Sequence, residues 1–153
     1  MSRTVLWMFA ACALAASPTG MSAQSTYDNN ALRLDSKFGD VRIVRGVEGP
    51  VVGRIGVFRG SDVAKIVETS PRAVTEAHEF QRNYRPGTIF FGLGLVSLGV
   101  TTGISQIHDV NRGITTGLML ATFGLLTYGG GRLERAYNAL SRSIWWYNRD
   151  LSQ

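Results

Sequence analysis

The sequence predicts an α+β protein: a small β-rich exported module, a two-helix transmembrane hairpin and a C-terminal amphipathic helix. Three observations carry this expectation. Strand-like pieces separated by turn signals occupy residues 31–58. Two apolar stretches follow, Gly87 to Ile107 with 21 residues and Gly113 to Gly131 with 19, and neither contains Asp, Glu, Lys or Arg. Residues 132–151 then repeat apolar side chains at helical spacing beneath a cover of arginines. The divisions are 1–23 as a signal peptide, 24–86 as the module, 87–131 as the hairpin and 132–153 as an interfacial helix.

The chain has 153 residues, 18% charged and 44% hydrophobic, which excludes a disordered chain and suits one modest domain with accessories. Its formal charge is +5, carried by 14 Arg and two Lys, so nearly every cation can fork onto a carboxylate or phosphate. Of 18 glycines, 11 lie between Gly87 and Gly131.

Arg3 followed by the 12-residue apolar run Val5 to Ala16, broken at Ser17-Pro18-Thr19-Gly20, reads as an export signal with a cleavage site after Met21-Ser22-Ala23. The run is short against the roughly 20 residues of a bilayer span, and an uncleaved anchor is the alternative. Cys12, the only cysteine, lies inside it. Cleavage at Ala23 leaves a mature chain with neither disulfide nor thiolate chemistry. Lipidation of Cys12 fits poorly, because the apolar run continues past it.

In the module, Ala31 to Asp35, Val41 to Arg45 and Val51 to Phe58 read as strands of a meander, with Arg42 and Arg45 toward water and Gly53 and Gly56 weakening the third. Phe38-Gly39-Asp40 and Gly46-Val47-Glu48-Gly49-Pro50 read as turns. Ser61 or Asp62 caps a short helix through Glu68. Ser70-Pro71 opens a longer one, with Ser as cap and Pro at the first helical position. That helix carries Val74, Ala77, Phe80, Gln81 and Tyr84 on one side and Arg72, Glu76 and Glu79 on the other. Pro86-Gly87 is expected to stop it.

Each apolar stretch, as a helix, is about 30 Å long, enough to cross a bilayer. The first holds ten strongly apolar side chains, worth roughly −3 to −6 kcal/mol on the insertion scale, and the second only six, roughly −2 to −4 kcal/mol. The second is therefore expected to insert as half of a hairpin. Gly92 and Gly99 are seven apart, as are Gly117, Gly124 and Gly131; Gly99 with Gly103 and Gly113 with Gly117 add four-residue spacings. Such offsets share a helix face and admit close backbone approach in lipid. These seven glycines are the expected helix-packing residues. Contact within the hairpin is favoured over self-association of copies. Thr101, Thr102, Thr115 and Thr116 are placed to bond across the contact. A soluble bundle is the alternative, opposed by the lack of a charged face on either stretch. A β-barrel is opposed by patchy alternation and too few turns. An exported N-terminus puts Arg112 inside and Arg82, Arg85, Arg132, Arg135 and Arg142 outside, against the usual positive-inside bias.

On residues 132–151, Leu133, Ala136, Tyr137, Leu140, Ile144, Tyr147 and Leu151 share a face. Arg132, Arg135, Trp145, Trp146 and Tyr147 are the expected membrane-interface residues, rings at headgroup level and arginines near phosphates. Packing of the same face on the exported module is the alternative. Ser70-Pro71-Arg72-Ala73, the Gly-rich pair, Ala136-Tyr137 and Trp145-Trp146-Tyr147-Asn148 together resemble uncharacterised bacterial envelope proteins over roughly residues 56–151. The resemblance implies architecture and a membrane setting, and no activity.

Catalytic signatures are missing. His78 beside Glu79 and His108 beside Asp109 lack metal spacing, and no hydrolase or nucleotide-binding motif occurs. Glu76 and Glu79 sit three apart on a helix and read as a solvated face. The expectation is a non-enzymatic envelope protein, inner membrane favoured, with a structural or interaction role and no cofactor or metal. The expected partners are the lipid bilayer and either further copies or another envelope protein, not nucleic acid. The alternative is an oligomeric pore or transport component.

Overall fold

A computed structural model describes residues 27–37, 40–56, 59–106 and 111–153. The signal segment, the turn at Phe38-Gly39, Phe58 and the His108-Asp109 loop lie outside the described residues. The fold is α+β, a small antiparallel sheet with predominant helix. The elements are β1 (Leu32–Lys37), β2 (Asp40–Arg45), β3 (Val51–Gly56), β4 (Arg59–Gly60), α1 (Val63–Ile66), α2 (Pro71–Ser105) and α3 (Arg112–Leu151).

The strands form a meander in the order β1-β2-β3-β4, all pairs antiparallel. The expected third strand, Val51 to Phe58, is described as β3 as far as Gly56, and a short β4 not expected from the sequence pairs antiparallel with its end, Gly60 with Ile55. Gly46 closes the β2–β3 connection at φ +76°, in the left-handed region where a Cβ is strained, and its N–H donates to the Ala31 carbonyl at 2.8 Å. Gly53 has a packing reason. A Cβ there would stand 2.7 Å from Ile66 Cδ1, so the glycine lets α1 lie against the sheet. Arg42 is half-buried, opposite Arg54 in register and 3.7 Å from Asp40, where full solvent exposure was expected.

The two long helices run antiparallel. Ser143 Oγ donates to the Ala73 carbonyl, Arg132 reaches Asn83, and Ser97 meets Thr122, so contacts near the start of α2 fall near the end of α3. With 35 and 40 residues they are about 52 and 60 Å long. Only their outer halves touch the sheet. There Leu32, Ile43, Ile55, Val63 and Val67 pack with Phe80, Leu140, Ile144 and Tyr147. Ala73 and Ala77 of α2 and Ala136 and Ala139 of α3, all fully buried, keep the helices close. Asn148 joins the sheet to α3. Its Oδ1 accepts from the Leu32 N–H and its Nδ2 donates to the Leu32 carbonyl, both at 2.7 Å, satisfying edge groups of β1.

Ser70 caps α2 as its sequence signal predicts, accepting from the Ala73 N–H at 3.3 Å while its hydroxyl donates to Asp150 at 2.5 Å. Pro86, however, does not stop the helix, which continues to Ser105. Proline removes one backbone bond and crowds the carbonyl four residues back, about 3 kcal/mol. Fixed groups flank it on both sides: Tyr84 Oη donates to the Gly56 carbonyl at 2.8 Å, and Gly87 lies against Leu133. Tertiary contact carries the helix across. Likewise α3 passes unbroken through Gly129-Gly130-Gly131, so hairpin and C-terminal helix are one element.

Candidate functional site: the apolar arm and its junction

Beyond Gly87 and before Gly131 the two helices leave the sheet and project as a paired arm. Its surface is apolar. Ile89, Leu93, Leu95, Val96, Leu98 and Val100 on α2, with Ile114, Met119, Leu120 and Phe123 on α3, are each 48–71% exposed. A folded chain in water rarely leaves a contiguous patch of this kind uncovered. Among the described residues one helix, α2, is long and apolar enough to cross a membrane, and only 17% of its apolar window is buried. The second expected span is not matched: the apolar half of α3 is diluted by Gly, Thr and Ala.

The arm is held by groups other than the heptad glycines. Among the described residues, Gly92, Gly99, Gly103, Gly117, Gly124 and Gly131 have nothing within 4 Å of a Cβ position, and Gly113 meets only Asn111 Oδ1, its own helix cap. They do not form the contact within the hairpin. The close approach is made by Gly87, Gly94 and Gly129. A Cβ on Gly94 would lie 2.7 Å from Leu126 Cδ2, and one on Gly129 would stand against the Phe91 backbone. On a helix of 3.6 residues per turn, Gly94 lies about 200° from Gly92, on the opposite side. Both rows were present in the sequence, and Gly87 and Gly94, also seven apart, face the partner helix in place of the row that holds Gly92 and Gly99.

The expected threonine bonds also shift. Thr101 reaches Thr122 at 3.5 Å, Ser97 meets Thr122 at 2.6 Å, and both threonines are 3% exposed. Thr102 bonds its own backbone at Leu98. Ser97 and Thr122 were missed because neither lies in the Thr pairs that flank the loop.

At the junction, Asn83 is 4% exposed; its Nδ2 donates to the Glu79 carbonyl and its Oδ1 accepts from Arg132 Nη1 at 2.9 Å. Arg132 also donates to Tyr128 Oη from Nε and Nη2. Phe90 and Tyr128 meet edge-on, with centroids 5.0 Å apart. Burial pushes the Tyr84 phenol above its ordinary range, and the neighbouring Tyr137 and Asp40 add to the shift. Arg132 therefore lies at the boundary between apolar arm and polar module, and Arg135 is exposed one turn further.

The other expected interface residues lie elsewhere. Tyr147 is 6% exposed and belongs to the core. Trp145 and Trp146 stand about 20 Å along α3 from Arg132, at the end remote from the arm. Arg149 lies over both rings and Arg72 over Trp146, at 4.8–5.5 Å, so this cluster ties the helix ends together. The amphipathic face of residues 132–151 packs on the module, the alternative raised above.

A groove of about 900 Å³ runs from the module onto the arm along the outer side of α2. Its polar end holds Ser61, Asp62, Gln81 and Arg85, and its apolar end Ile89, Gly92, Leu93 and Val96. Gln81 Nε2 donates to Asp62 Oδ1 at 2.8 Å. Glu76 and Glu79 lie on a partly exposed face, where the half-exposed Arg142 reaches them at 2.8 and 3.5 Å. His78 is exposed. Among the described residues no three His, Cys, Asp or Glu side chains gather to hold a metal. No protein-family model, no curated protein and no solved structure matches the chain.

Proposed function

We propose that this is a bacterial envelope protein, inner membrane favoured, with a structural or protein-interaction role and no catalysis. Its paired arm, residues 87–131, inserts in the bilayer, and its α+β module stays at the exported surface. The exposed apolar side chains on two stretches without Asp, Glu, Lys or Arg, 87–107 and 113–131, carry this reading. In water that surface opposes solubility; in lipid it is satisfied, and the helical backbone bonds internally. The internal Ser97–Thr122 contact suits the same setting, since interhelical hydroxyl bonds contribute about 0.6 kcal/mol each in membranes. Arg82, Arg85, Arg132 and Arg135 border the arm at the level expected of phosphate headgroups. Carbonate extraction of membranes is the test. Retention in the pellet is the expected result, and release as a soluble monomer overturns the reading.

A second reading, an oligomeric pore or transport component, is favoured by one observation. Gly92, Gly99 and Gly103 on α2 and Gly117 and Gly124 on α3 face outward with open space before them, on the two outer edges of the helix pair. Small-residue edges are the surfaces on which further helices pack in lipid. Crosslinking in detergent separates the readings: a ladder of discrete oligomers supports the pore, and a monomer or a foreign partner supports the scaffold.

A further inference from the structure

The groove on α2 is amphipathic along its length. From Arg85 to Val96 it descends about 16 Å, close to the roughly 15 Å depth of one leaflet's hydrocarbon. Gly92 lies midway, and a Cβ there would have nothing within 4 Å among the described residues, so the groove is open where a larger residue would fill it. Its polar end carries one cation and one carboxylate. Arg85 is exposed and makes no ion pair among the described residues. Asp62 is exposed; its Oδ1 accepts from Gln81, and its Oδ2 has no hydrogen bond among the described residues.

We infer that this groove holds one ethanolamine phospholipid of the surrounding bilayer. Its phosphate meets Arg85, its ammonium meets Asp62, and one acyl chain lies along Ile89, Gly92, Leu93 and Val96. The charges decide the class. A guanidinium pairs with phosphate through two parallel N–H donors. A primary ammonium supplies the N–H that Asp62 Oδ2 accepts. A quaternary choline has no such donor, and a glycerol headgroup leaves the lipid's net negative charge facing the carboxylate. The site rests on the membrane reading, and the test separates the two.

The full chain is reconstituted in vesicles of equal parts ethanolamine, glycerol and choline phospholipid, checked by flotation, and released in mild detergent for native mass spectrometry. The wild type is expected to float and to retain the ethanolamine lipid several-fold above its share of the vesicle. Asp62→Asn is expected to abolish that preference, with glycerol phospholipid gaining. Gly92→Leu is expected to reduce retention of all three classes. Arg149→Ala, at the far end of α3, is expected to leave retention unchanged. Retained lipid that mirrors the vesicle, an ethanolamine preference that survives Asp62→Asn, or undiminished retention in Gly92→Leu overturns the site while leaving the membrane reading intact. A wild-type chain that does not float overturns both.

Discussion

Arg132 Nη1 donates to Asn83 Oδ1 at 2.9 Å, across the two helices at the level where the apolar arm leaves the module. The bond is charge-assisted, and Asn83 is almost fully buried. It fixes the register of α2 against α3 where hydrophobic packing gives way to packing of glycine on side chain. Asn83→Ala removes the acceptor and leaves Arg132 to Tyr128 alone. The expected cost is about 1–3 kcal/mol, read as a lowered melting temperature in detergent.

Substitution of the glycines separates the two rows. Gly129→Leu and Gly94→Leu must displace the Phe91 backbone or the half-buried Leu126. Each is expected to cost about 1–3 kcal/mol or more by overpacking. Gly99→Leu and Gly124→Leu project into open space and are expected to leave the melting temperature of the monomer unchanged. Equal loss at both rows would mean that the heptad glycines lie inside the hairpin after all.

Pro86 is carried through α2 by its neighbours. Pro86→Ala restores an N–H to bond the Arg82 carbonyl and removes a steric contact. The expected gain is up to about 3 kcal/mol, seen as a raised melting temperature and slower amide exchange at residues 83–90.

Asn148 holds β1 through both backbone groups of Leu32. Asn148→Leu leaves an N–H and a carbonyl without partners at a residue 2% exposed. About 1–3 kcal/mol is the expected loss, with hydrogen exchange rising in β1 before the helices. Uniform exchange across the protein would show that the strand does not depend on this amide.

The raised Tyr84 pKa makes stability fall in alkali. The folded state holds the phenolic proton more tightly than the unfolded chain does. The contribution is complete below the unfolded value of about 10 and is lost as pH rises through the folded one. Tyr84→Phe is expected to flatten that decline while costing about 1 kcal/mol at neutral pH for the bond to Gly56. Denaturant titrations between neutral pH and strong alkali measure both.

Much of the local structure was legible in the residues. The strands 41–45 and 51–56, the Gly46 turn, the Ser70-Pro71 start and the apolar stretches each carry a signal within a few positions. β4 was hidden because Val51 to Phe58 reads as one strand with no turn chemistry before Arg59. Asn148 and Asn83 gave no signal, because their partners lie 116 and 49 residues away. The groove joins residues on two elements, and the sequence spacing of Asp62 and Arg85 says nothing of their shared cleft.

By itself the sequence determined composition, caps and periodicity: an α+β chain with two charge-free apolar stretches and a final amphipathic helix. Those properties depend on neighbours within a turn or two, where backbone sterics and hydrogen bonding act. The tertiary structure alone decided that Pro86 is passed, that Gly94 and Gly129 rather than the heptad glycines meet the partner helix, and that Tyr147 faces the core. Each depends on which side of one helix meets another, and only the summed packing of distant residues determines that rotation.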